Sequence, residues 1–289
     1  MYQICFDESR VYTEINMMHT SRSMEILTKL KVAILTSIVL SFFSVSSFAD
    51  YVDSKSDFGF YGSIKTYEER HPYTNEAFMQ QDGWMIGIDT NSETYDSSNF
   101  YTFYRSKFAY GQVDYSSAGT GTMAGISDWQ FETAAALGQG FEGQSFRTTP
   151  YAGIGFRYLL NKMGTKLSST GHYGYDRASR YIYIPLGVTF ETNPVNESFW
   201  TLRAEYDFFI YGQQTSYLSS LAGHSDITND QEDGSGVKLS AKYNIDKNGG
   251  VEAFMDLWDI ADSKLDTTGT FMEPRNSTVE MGIRVFWSF

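Results

Sequence analysis

The stretch that most limits what this chain can become is its last one. From Asn276 to Phe289 it reads Asn-Ser-Thr-Val-Glu-Met-Gly-Ile-Arg-Val-Phe-Trp-Ser-Phe. Val279, Met281, Ile283, Val285, Trp287 and Phe289 hold every odd position. Thr278, Glu280, Gly282, Arg284 and Ser288 lie between them, and Phe286 is the exception. A repeat of two describes a strand with one apolar and one polar face. A sheet in water produces that pattern too, but it rarely closes its chain on aromatic residues.

Nine further segments carry the same alternation between turn-rich stretches: 57–68, 83–92, 100–115, 126–138, 149–160, 179–192, 199–213, 236–245 and 250–262. In 179–192, Ile182, Ile184, Leu186, Val188 and Phe190 face one way, against Tyr181, Tyr183, Pro185, Gly187, Thr189 and Glu191. In 199–213, Trp200, Leu202, Ala204, Tyr206, Phe208 and Ile210 oppose Thr201, Arg203, Glu205 and Asp207. Segment 100–115 is the least regular. Its alternation breaks around Arg105-Ser106-Lys107, which predicts a β-bulge there.

The connections are sorted by length. Those at 70–82, 116–125, 161–178, 214–235 and 263–275 are long; those at 95–99, 140–144, 193–198 and 246–249 are short. Long and short alternate, so all long loops gather at one end. Trp200, Phe190, Trp287 and Phe289 fall at the short-loop ends of their strands, with Trp84, Trp129 and Ile210-Tyr211 at the long-loop ends. Together with the terminal Phe, this resembles the Gram-negative outer-membrane β-barrels, whose long outer loops, short periplasmic turns and two aromatic girdles follow this plan. The resemblance implies an all-β, antiparallel, up-and-down transmembrane barrel of about ten strands, eight and twelve remaining open. It also implies outer-membrane lipid and lipopolysaccharide as surroundings, and recognition of the C-terminal strand by the barrel-assembly machinery. A mean hydropathy of −0.33 is compatible with this, because only alternate residues face lipid.

The N-terminal region supports export. Lys29 and Lys31 precede an apolar run at 32–43, and Ser47-Phe48-Ala49 forms a small-x-small cleavage site. The expected organisation is an over-extended N-terminus at 1–23, a cleaved signal peptide at 24–49 and a barrel at 50–289. The single cysteine, Cys5, falls in the first part, so disulfides are not expected. Beyond this region no run reaches the roughly 18 apolar residues of a membrane helix. A net charge of −13 argues against nucleic acid as a partner, which calls for a basic footprint.

If the barrel closes, the polar faces line its lumen. They carry Lys65, Asp89, Glu132, Arg157, Glu191, Arg203, Glu205, Asp207, Lys238, Lys242, Glu252, Asp256, Glu280 and Arg284, with bulk from Tyr61, Tyr151, Tyr181, Tyr183, Phe254 and Trp258. Ten strands leave an interior little wider than side chains can fill. A filled lumen with ion pairs is expected, with Arg203/Glu205 and Glu280/Arg284 as neighbouring partners.

Reactive groups are sparse. His71, His172 and His224 lie in the long connections, with Asp176 and Asp226 near the last two. A His set by a carboxylate serves as a general base. This makes His172, Asp176, His224 and Asp226 weak candidates for a rim hydrolase of omptin-protease or lipid A deacylase type, although no motif of either matches. Asp226, Asp230, Glu232 and Asp233 form a weak candidate cation cluster without the regular spacing of an EF-hand. The run His172-Tyr173-Gly174-Tyr175-Asp176-Arg177 is expected to pack on the rim. No cofactor is expected, and the sequence specifies no extracellular ligand. The favoured reading is a non-enzymatic surface protein whose acidic, aromatic loops serve interaction or envelope integrity, with a narrow porin-like channel as the alternative.

Overall fold

The structure, a computed structural model, describes residues 51–195 and 197–289. The expected extension at 1–23 and signal peptide at 24–49, with Cys5, lie outside the described residues. The strands are β1 (Tyr51–Arg70), β2 (Ala77–Asp96), β3 (Phe100–Ser117), β4 (Gly121–Gln139), β5 (Phe141–Glu142) and β6 (Phe146–Lys162). They continue with β7 (Asp176–Thr192), β8 (Phe199–Tyr217), β9 (Ile227–Gln231), β10 (Gly234–Asp246), β11 (Gly249–Ile260) and β12 (Asn276–Ser288). Ten of them close a fully antiparallel ring in the order β1-β2-β3-β4-β6-β7-β8-β10-β11-β12. The short β5 pairs only with β6, and β9 pairs with the outer part of β8.

The C-terminal strand is the closing element. β12 pairs with β1 from Asp57↔Ser288 to Glu69↔Asn276, and with β11 on its other side. No ring strand is thereby left with an open edge along its paired length. This is the condition for placing strands in hydrocarbon, where an unpaired edge would leave amides unsatisfied.

The two faces sort as their alternation demands. Outward residues on β1 and β2, such as Phe60, Ile64, Trp84, Ile86 and Ile88, are exposed, while Tyr61, Ser63, Lys65 and Met85 between them are buried in the lumen. On β12, Ile283 is 58% exposed and its neighbour Arg284 2%; Phe286 faces inward at 1%. The outward aromatics cluster at the two ends of this belt. Trp200 lies 4.8 Å from Tyr243 and Trp287 6.0 Å from Phe60 at one end, and Trp129 4.5 Å from Tyr110 at the other.

Several strands are longer than their alternation indicated. β1 and β2 have 20 residues each, where a tilted membrane strand needs about 9–11. At about 3.3 Å per residue and a tilt near 40°, they rise about 50 Å, well beyond a hydrocarbon layer of about 30 Å. Above the lipid no face must be apolar, so the amphipathic signal vanishes although the strand continues. The supposed long connection at 116–125 accordingly shrinks to a turn at 118–120 between β3 and β4. The bulge expected at Arg105-Ser106-Lys107 is also misplaced. The β2–β3 register runs unbroken there, and the irregularity lies between Val113 and Tyr115, opposite Ala124-Gly125 of β4. Gly125 takes φ +63° at that point and donates its N–H to Asp114 Oδ1 at 2.8 Å.

Candidate functional site

The inward face of the ring is a stack of ion pairs that cross the lumen. At mid-height, Arg105 of β3 grips Glu205 of β8 with both ends of its guanidinium, Nη2 to Oε1 at 2.5 Å and Nη1 to Oε2 at 3.1 Å. Such a fork is the strong, directional form of a charged hydrogen bond. Glu205 also accepts from the Tyr151 hydroxyl at 2.7 Å. Glu132 of β4 accepts from Tyr183 at 2.8 Å and lies 3.1 Å from Lys238 Nζ of β10, which also binds Asp207. Arg157 lies over the Trp258 ring, 4.9 Å from its centroid. Three cations thus face three carboxylates within a few ångströms.

Glycines make room for this cluster. The Tyr183 ring lies flat on Gly155 and the Tyr151 ring on Gly187; a Cβ at either glycine would stand 2.1–2.2 Å from the ring. The two phenols are thereby swung toward the carboxylates they serve.

Above and below, further pairs span the barrel. Toward the short-loop end, Arg203 of β8 reaches Glu93 of β2, and Lys55 of β1 reaches Glu191 of β7 at 2.5 Å. Arg147 of β6 holds Asp53 at 3.0 Å. Arg284 gathers Asp57, Asp89 at 2.6 Å and Glu252 at 3.2 Å, with Lys242 on Asp57 at 2.7 Å. Toward the long-loop end, Lys107 meets Asp256 at 3.0 Å, and Lys65 binds Asp128. Glu280 accepts from Ser63 and Gln130 at 2.7 Å each. A cavity of about 90 Å³, room for a few waters, remains beside Lys107, Asp256, Glu252 and Arg284.

At the outer mouth, Arg177 at the start of β7 spans to Glu69 of β1 at 2.5 Å and binds Glu273 from the β11–β12 loop. The Tyr67 hydroxyl donates to Glu69 at 2.9 Å.

The fourteen charged residues of the polar faces, from Lys65 to Arg284, are buried or half-buried, and their partners are other than expected. Arg203 and Glu205 do not pair, nor do Glu280 and Arg284; each reaches across to another strand. Residues two or four apart on one strand project side by side, and each finds its partner on another strand: Arg203 across the lumen on β2, Arg284 on the flanking β1 and β11. Sequence reasoning read Arg105 and Lys107 as part of a bulge and not as lumen residues, because β3 carries aromatics on both faces: Tyr101 and Phe103 are buried, Tyr104 and Phe108 exposed. It also left Arg177 in a loop. Tyr173 does sit exposed on the rim, but Arg177 is buried in the mouth.

The candidate catalytic pairs are not brought together. His172 Nδ1 shares a hydrogen bond with Thr170 Oγ1 at 2.9 Å, while Asp176 accepts from the Gly164 N–H at 2.7 Å. Asp226 accepts from the Ser219 N–H at 2.8 Å; the Ser219 side chain and that backbone bond hold its carboxyl below the usual range, and His224 bonds Leu221 O through its own backbone. The acidic cluster is likewise dispersed. Asp230 accepts from Tyr211 and Gln213, Glu232 pairs with Lys264 at 2.7 Å, and Asp233 caps Gly234. Among the described residues no group of three or more His, Cys, Asp or Glu side chains is placed to hold a metal.

No family model matches the sequence, and no curated protein does. Among solved structures the chain is similar to the outer membrane protease OmpT from Escherichia coli. The identity is 11%, over 85% of this chain and 99% of that one, with a TM-score of 0.50. A looser likeness joins it to the toluene transporter TodX of P. putida, at 8% identity over 82% and 90% of the two chains and a TM-score of 0.27. The structural neighbours are outer-membrane β-barrels, and at these identities the likeness is one of fold.

Proposed function

We propose that the protein is an integral outer-membrane barrel, exported by cleavage after Ala49, whose lumen is a solid ion-paired core rather than a conduit. Its function then lies at the rim, where the long loops meet lipopolysaccharide and the medium without catalysing a reaction. One observation carries this reading. Arg203–Glu93, Lys55–Glu191 and Arg177–Glu69 each join strands five places apart in a ring of ten, so charged side chains cross the full lumen at two heights, two pairs side by side near the short loops and one at the outer mouth. An ion moving along the axis would have to part each pair, and leaving one buried charge without its partner costs several kcal/mol. Against catalysis stands the geometry of the rim, where each candidate carboxylate serves a backbone N–H or a side chain other than a histidine.

Planar-bilayer recording tests it. The purified protein is expected to insert without stable single-channel steps at neutral pH. Steps whose size changes on Arg203→Ala or Lys238→Ala would overturn the reading.

A further inference from the structure

The loop between β11 and β12, residues 261–275, is held at its base, its middle and its tip. Its base is stapled. Arg275 holds Asp259 through Nε at 2.9 Å and Nη2 at 2.5 Å, and its backbone N–H donates to Asp262 at 2.6 Å. Its tip is a tight turn in which Asp266 accepts from the backbone N–H groups of Phe271 and Thr270 at 2.9 Å each. Those bonds hold the Asp266 carboxyl down at about 2. Midway, Asn229 of β9 donates to both Lys264 O and Phe271 O, tying the loop's two arms to the wall.

From this frame one charged side chain, Glu273, enters the barrel. Glu273 is 6% exposed, and its backbone is fixed by a reciprocal pair with Ser263, N–H to Oγ at 2.8 Å and Ser263 N–H to O at 2.9 Å. It ends on Arg177, which Glu69 already occupies. The charged and titratable groups around it are Arg177 and Tyr181 from β7, Glu69 and Tyr67 from β1, and Tyr175 from the β6–β7 connection; Gln214 of β8 is the neutral neighbour. Two buried carboxylates therefore share one cation. Burial above all, then the Glu69 charge, raises the Glu273 carboxyl from its ordinary value near 4.5 to about 8, against the pull of Arg177.

We propose that loop 261–275 is a proton-latched lid on the outer mouth, shut while Glu273 is protonated against Arg177 and loosened as that proton leaves. The proton removes the surplus negative charge without disturbing the Arg177–Glu69 pair. The sign follows from linkage. The closed lid holds a proton that the open lid, with Glu273 in water, has already released; closure is strongest below about pH 4.5 and weakens as pH rises toward about 8. Between those limits the closed-to-open ratio falls by up to about tenfold per pH unit. An external change of pH would thus bare Arg177, Glu69 and the tyrosines of the mouth while the ion pairs below stay in place.

Distance measurement between two spin labels tests this in the whole protein. With Cys5→Ser, labels at Thr122→Cys on the rigid wall of β4 and Thr267→Cys at the exposed loop tip report the lid directly. One narrow distance is expected at pH 5, giving way to a broad, longer distribution by pH 9. Glu273→Gln, which keeps the hydrogen bond and cannot ionise, should stay narrow throughout. Glu69→Gln, which removes the repelling neighbour, should shrink the transition and move it to lower pH. A wild-type distribution that is the same at pH 5 and pH 9, or a Glu273→Gln variant that broadens as the wild type does, would overturn the lid.

Discussion

The middle of the lumen and its outer mouth are both buried ion-pair clusters, and they differ in charge balance and in what carries the charges. At mid-height Arg105, Arg157 and Lys238 face Glu132, Glu205 and Asp207, all six on ring strands. At the mouth Arg177 faces Glu69 and Glu273, and Glu273 arrives on a loop. A balanced cluster on rigid walls has little to gain by moving. An unbalanced one on a loop can relieve its excess charge by opening. The same chemistry thus makes a core in one place and a latch in the other.

The largest expected effect is in the middle. Arg105→Ala takes both guanidinium bonds from Glu205, which is 3% exposed, and leaves it the Tyr151 hydroxyl and Lys238 at 3.6 Å. Breaking a buried pair from one side costs about 3–5 kcal/mol, read as a fall in the denaturant midpoint of the barrel in lipid vesicles. A change below 1 kcal/mol would mean that the cluster is hydrated enough to be dispensable. Next comes Gly155→Val, which pushes the Tyr183 ring off its seat and breaks the bond to Glu132. Overpacking of this kind costs about 1–3 kcal/mol by the same measurement, and an undisturbed midpoint would show that the ring finds another place. The smallest global effect belongs to the mouth. Asn229→Ala removes two hydrogen bonds to the lid, worth about 1 kcal/mol each. It should speed trypsin cleavage after Lys264 while leaving the midpoint of the barrel within about 1 kcal/mol of wild type. A large fall in midpoint would erase the distinction between core and latch.

Much of the architecture is legible in the linear chain. Alternation marks ten strands and identifies both faces on nine of them, because lipid demands an apolar residue at every second place. β3 escapes, since Tyr101 and Phe103 fill the lumen as bulky residues while Tyr104 and Phe108 meet lipid, and an aromatic on each face cancels the contrast. The outer ends of β2, β4 and β8, at 77–82, 121–125 and 214–217, escape for the opposite reason: outside the hydrocarbon neither face need be apolar. The first residues of β1 are hidden too. Asp53 and Lys55 look like polar leader, yet they reach across the short-loop mouth to Arg147 and Glu191.

What the sequence by itself determined is which way each charged residue of 199–213 or 276–289 points, because a strand's period is fixed by its backbone and the solvent outside is fixed by the membrane. Which charge meets which was decided only by closure. Arg105 lies 100 residues from Glu205, Lys107 149 from Asp256, and Arg177 96 from Glu273. Those distances along the chain collapse to hydrogen bonds only when β12 seals against β1, sets the stagger of the ring and brings the inward side chains of distant strands together. The closing strand therefore announces the barrel in the sequence, and its pairing with β1 selects the partners inside.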